Sequence, residues 1–118
     1  MKKLMVAVLC LASHVGAAQA ITKDGDFVVL GSGGLGCGAF VKYPKERVTA
    51  LQWVNGYLTA FNQFAPLSAG QSNVADGVNL EGRELWLENW CRTHPMSDIA
   101  DAMPDMLLEL VKKSKPTQ

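Results

Sequence analysis

The chain has 118 residues, 48% of them apolar and 19% charged, with eleven basic residues balancing eleven acidic ones. That length holds one small domain. The balanced charge argues against a nucleic-acid binder, and the composition argues against a collagenous or disordered chain.

Residues 1–20 read as a secretory signal peptide rather than part of the fold. Met1-Lys2-Lys3 is a positive start, Leu4 to Leu11 is an apolar run, and Ala18-Gln19-Ala20 offers small side chains to a signal peptidase. The run is too short to span a bilayer, which takes about 20 residues of helix. Cys10 does not read as a lipid-anchor site, because Leu9 before it is large. Cleavage after Ala20 would remove Lys2, Lys3 and Cys10, leaving a net charge of −2 and two cysteines, Cys37 and Cys91. An even count in a small exported domain argues for a disulfide, with two free buried thiols as the alternative. Closing a loop of about 55 residues would stabilise the fold by roughly 4 kcal/mol in the chain-entropy argument.

Residues 21–43 read as an extended, glycine-rich arm. It carries an Asp24-Gly25 turn, a β-prone Phe27-Val28-Val29-Leu30 run, and Gly31-Ser32-Gly33-Gly34-Leu35-Gly36-Cys37-Gly38. So many glycines are costly to order as helix or strand. A helical domain is expected over residues 44–113, followed by a tail at 114–118. Pro44 and Glu46 suit the start of a helix. Val48, Leu51, Val54, Leu58, Phe61 and Ala65 then follow one helical stripe, with Trp53, Tyr57, Ala60 and Phe64 as a second beside it. Ala65-Pro66 ends the helix, and Gly56 within it is read as room for a close backbone approach. Residues 67–79 read as a loop with an Asp76-Gly77 turn.

Asn79 suits the cap of a second helix reaching about Thr93. Its inner side carries Leu87, Trp90 and Cys91 beside Trp86, and Glu81, Arg83, Glu84, Glu88 and Arg92 read as a solvated face. Ser97 suits a third cap. Ile99, Met103, Met106 and Leu110 form its inward stripe, extended by Ala100, Leu107 and Val111. Pro104 inside that pattern predicts a kink or two short helices. The fold class is therefore all-α: three or four helices, one disulfide and an irregular arm.

Motifs for chemistry are sparse. Gly31-x-Gly33-x-x-Gly36 matches a dinucleotide fingerprint in spelling, but no acidic residue and no second parallel strand follow where they are needed. Cys91-x-x-His94 is half a metal site at best, since a structural zinc needs about four Cys or His ligands. No nucleophile elbow or triad pattern is present. We therefore expect no enzyme activity, no cofactor and no metal. Trp53, Tyr57, Trp86 and Trp90 are either core or an aromatic patch for a protein partner. Met96, Met103 and Met106 divide the same way between soft core filler and adaptable surface.

Cys37-x-x-Phe40, the helix with Trp53-x-x-Gly56-Tyr57, Cys91-x-x-x-Pro95 and the final apolar helix together resemble the HdeA/HdeB family of small periplasmic acid-stress proteins. The resemblance covers residues 37–110. It implies a disulfide between Cys37 and Cys91 in an all-α fold. It also implies a periplasmic location and a chaperone that loosens in acid to hold unfolding clients on apolar surface. A homodimer near neutral pH is left open. Acid response would come from carboxylates such as Glu84, Glu88, Asp98 and Asp101. The chain is also similar to immunity proteins of type VI secretion amidase effectors, which implies an inhibitor that blocks an enzyme by surface contact. Neither reading involves nucleic acid or stable membrane insertion after signal cleavage.

Overall fold

The computed structural model describes residues 27–65 and 71–114. The signal peptide and its cleavage site, the Asp24-Gly25 turn, and residues 115–118 of the tail lie outside the described residues. Within them the fold is all-α. A 3-10 turn at Gly31–Gly34 precedes α1 (Cys37–Lys42) and α2 (Pro44–Phe64). After a connecting loop come α3 (Leu80–Thr93), a second 3-10 turn at Ile99–Ala102, and α4 (Met103–Ser114). A lone antiparallel bridge joins Gly36 to Asp98. There the Ile99 N–H donates to Leu35 O (3.0 Å) and the Cys37 N–H donates to Ser97 O (2.8 Å).

The arm is more ordered than its glycines suggest. Its last residues form α1, so the helical body begins at Cys37 rather than Pro44. Six residues are too few to be stable as an isolated helix. Tertiary ties hold α1 instead: buried Cys37 and Phe40, the bridge to Ser97, and a disulfide from Cys37 to Cys91 on α3. The disulfide spans 54 positions with its Cα atoms 4.9 Å apart.

α2 starts with Pro44 in its first turn, where a missing N–H leaves no bond unmade. Its 21 residues give a length of about 31 Å. Ala50, Leu51, Val54 and Leu58 are its buried positions. The expected stripes are therefore wider than the buried arc, because Val48 is 60% and Phe64 79% exposed. Gly56 also differs from expectation: a Cβ there would meet nothing within 4 Å, so no backbone approaches it.

The loop after α2 is bound back to it. The Val74 N–H donates to Asn62 Oδ1 (2.8 Å), while Asn62 Nδ2 donates to Asn73 Oδ1 (3.2 Å). The Ala75–Val78 turn closes through Val78 N–H to Ala75 O (3.1 Å), and Gly77 takes φ +74°, which glycine adopts without strain. Asn79 caps α3 by accepting from the Gly82 N–H (2.9 Å). Leu87 and Cys91 form the buried line of α3.

Ile99, Met103, Met106 and Leu110 are all buried, as their spacing predicts. Of the two outcomes foreseen at Pro104, the chain takes two short helices: a 3-10 turn ends at Ala102, and Pro104 falls in the first turn of α4. The cap is Asp98 rather than Ser97, and the Asp101 carboxylate accepts from the Asp98 N–H (2.9 Å). Ser97 is engaged through its carbonyl in the bridge to α1.

Candidate functional site

The four aromatics singled out in the sequence do not gather into one patch. All are half-buried at the edge of the core. Trp53 and Tyr57, one turn apart on α2, lie with ring centroids 5.5 Å apart. The Trp53 indole N–H donates to Leu30 O (2.7 Å), and its ring lies against Gly33 so closely that a Cβ there would overlap it. Gly31 and Gly33 of the dinucleotide-like run thus seat a tryptophan. Trp86 lines a shallow groove of about 150 Å³ with Val78, Arg83, Met106 and Leu110. Trp90 donates from its indole N–H to Asp105 Oδ2 on α4 (2.9 Å) and stacks on His94 at 4.1 Å between centroids.

The solvated face expected on α3 carries the principal polar joint of the molecule. Arg47, near the start of α2, donates from Nε to Phe40 O and from Nη2 to Val41 O, both at 3.0 Å. Phe40 and Val41 lie in the last turn of α1, whose carbonyls have no partner within the helix. The same guanidinium reaches α3, donating from Nη1 to Glu88 Oε2 (2.9 Å), with Glu84 Oε1 at 3.6 Å. Glu88, only 18% exposed, also accepts from Arg92 one turn on. Arg83 is likewise engaged, donating to Val78 O (2.7 Å) and Asn55 Oδ1 (3.1 Å). Its Nε is buried without a partner.

One guanidinium therefore joins α1, α2 and α3. Hydrogen bonds from Arg92 and Arg47, with the charge of both, hold the Glu88 carboxyl below its ordinary value of 4.5 against a smaller opposing effect of desolvation. Arg47 carried no signal in the sequence, since its partner Glu88 is 41 positions away.

Around His94 the geometry is also specific. His94 Nδ1 lies 2.9 Å from Trp90 O and 2.9 Å from Thr93 Oγ1. The Thr93 hydroxyl itself donates to Trp90 O (2.8 Å). The turn after it closes through Ser97 N–H to His94 O (3.1 Å), leaving Met96 96% exposed. Among the described residues no three His, Cys, Asp or Glu side chains come together as a metal cluster. No described helix is long and apolar enough to cross a membrane. No family model matches the chain, and no curated protein or solved structure is significantly similar to it.

Proposed function

We propose that the chain is an exported, periplasmic binding protein of the acid-stress type, released by cleavage after Ala20. It holds unfolding client proteins on apolar helix surface that acid uncovers. The observation that carries this reading is the position of the Glu88 carboxylate between Arg47 and Arg92 in the joint of α1, α2 and α3. The Glu88 pKa is lowered in the fold, so its ionised form contributes stability above 4.5. That contribution is lost as the pH falls through the lowered value. Protonating Glu88 would weaken the link from Arg47 to α3 without cutting the covalent tie between α1 and α3. The resemblance to HdeA/HdeB proteins supports the same reading.

Light scattering of an acid-denatured client tests it. A stoichiometric amount of the oxidised protein is expected to suppress aggregation at pH about 3 and to do little at pH 7. No suppression at either pH overturns the chaperone reading. The exposed Phe64 and Val48 on α2 favour a second reading, an immunity-type inhibitor that docks on one effector enzyme. That reading expects a single stoichiometric enzyme to co-purify from the periplasm at neutral pH, and its absence there counts against it.

A further inference from the structure

We propose that the cleft between the Ala75–Val78 turn, α3 and the end of α4 binds a small organic acid, a single carboxylate joined to an aryl-sized apolar group. Arg83 and Lys113 hold the carboxylate, and the groove at Trp86 takes the apolar group. A cavity of about 590 Å³ is lined by Asn73, Asp76, Asn79, Arg83 and Lys113. That volume is within the range of small-molecule sites, roughly 300–1,000 Å³. The groove of about 150 Å³ is lined by Trp86, Met106, Leu110 and Glu109. Val78, Arg83 and Lys113 line both, so the polar space and the apolar space share a wall that carries two cations.

The half-buried Arg83 is positioned by the fold itself. Its Nη1 donates to Val78 O (2.7 Å) and its Nη2 to Asn55 Oδ1 (3.1 Å), which fixes the plane of the guanidinium. Both acceptors are neutral. Among the described residues the ion pairs involve Arg47 and Arg92, with none at Arg83 or Lys113. Each terminal nitrogen of Arg83 has a second N–H to offer. A guanidinium fork matches the two oxygens of a carboxylate, and the half-buried charge otherwise lacks a counter-charge. Asp76 and Glu109 line one cavity each. They offset the two cations, which favours a single negative charge over the multiple charge of phosphate. A space of about 150 Å³ accommodates a benzene-sized group, and Trp86 offers it a ring to pack against. None of these residues belongs to the Glu88 joint, so the site stands apart from the acid response.

Titration of the oxidised chain with 3-phenylpropionate at neutral pH, followed by heteronuclear NMR, tests the site. Saturable binding is expected, with shifts at the Trp86 indole N–H and in residues 73–79. The neutral 3-phenylpropan-1-ol, propionate and inorganic phosphate should each bind at least about tenfold more weakly. Lys113→Gln should weaken 3-phenylpropionate about tenfold, and Arg83→Gln at least as much. Lys113 is exposed, so its variant decides the question even if Arg83→Gln disturbs the fold. Absence of saturable binding overturns the proposal, as does binding that Lys113→Gln leaves unchanged. Equal binding of the alcohol would mark an apolar groove only, and equal binding of phosphate a site read by charge alone; either outcome overturns it. A tripeptide ending in phenylalanine carries the same two groups. Its binding about tenfold more tightly than 3-phenylpropionate would overturn the free acid in favour of a protein C-terminus.

Discussion

Gly33 and Trp53 show how a single missing side chain can seat a ring. The Gly31–Gly34 turn lies against Trp53, midway along α2, and the indole occupies the space where a Cβ of Gly33 would stand. The glycine is needed for this contact rather than for its torsion angles, since positive φ falls on Gly31 and Gly77. Gly33→Ala should therefore destabilise the protein by about 1–3 kcal/mol, the usual range for overpacking a well-filled site. Gly34→Ala is the control, because a Cβ there meets nothing within 4 Å. Thermal unfolding followed by circular dichroism checks the pair. Equal melting temperatures for the two variants would mean that the turn moves aside freely. Sequence reading placed the close approach at Gly56 instead. It had reason to ask why a helix contains a glycine, but no means to see that the ring one turn earlier meets a different glycine.

The helices divide by how much of their identity is local. α4 and the turn before it were legible because Ile99, Met103, Met106 and Leu110 repeat at helical spacing and face a single side. Asn79 announced the start of α3 because a cap is chosen by its own side chain. α1 was not legible: six residues are shorter than two turns, and its stability comes from Cys91, Ser97 and Arg47. The charges on α3 misled for the same reason, because only a distant residue distinguishes a solvated carboxylate from one in a joint. Arg47→Met keeps the side-chain stem but leaves the Phe40 and Val41 carbonyls without their donor. Stability should fall by about 2 kcal/mol in urea unfolding at neutral pH. Glu88→Gln tests the acid dependence separately. The native protein should lose stability as the pH drops below 4.5, and the variant should show a shallower loss over that window. Parallel curves for the two proteins would remove Glu88 from any acid response.

For the molecule as a whole, the disulfide decides whether the N-terminal part stays attached to the body. Among the described residues, fifteen buried apolar side chains form the core, drawn from every helix and from the loop at Val74 and Ala75. Cys37 and Phe40 are the share contributed by α1. A six-residue helix cannot hold itself, so its place in the core depends on being kept close to α3. The tie between positions 37 and 91 does this by removing open conformations from the unfolded chain, a stabilisation of about 4 kcal/mol. Domains of this size have only about 5–15 kcal/mol in total. Protein reduced in denaturant, thiol-blocked and refolded should therefore unfold at a urea concentration lower by about 3–4 M, for a slope near 1 kcal/mol per molar. Hydrogen exchange on the blocked protein locates the loss. Amides of α1 and of the Gly31–Gly34 turn should exchange first, with the Cys37 N–H among them, while those of α3 and α4 retain protection. Uniform loss of protection across all four helices would show instead that the bridge holds the whole core together, and that Ile99, Met103 and Leu87 cannot keep α3 and α4 folded without it.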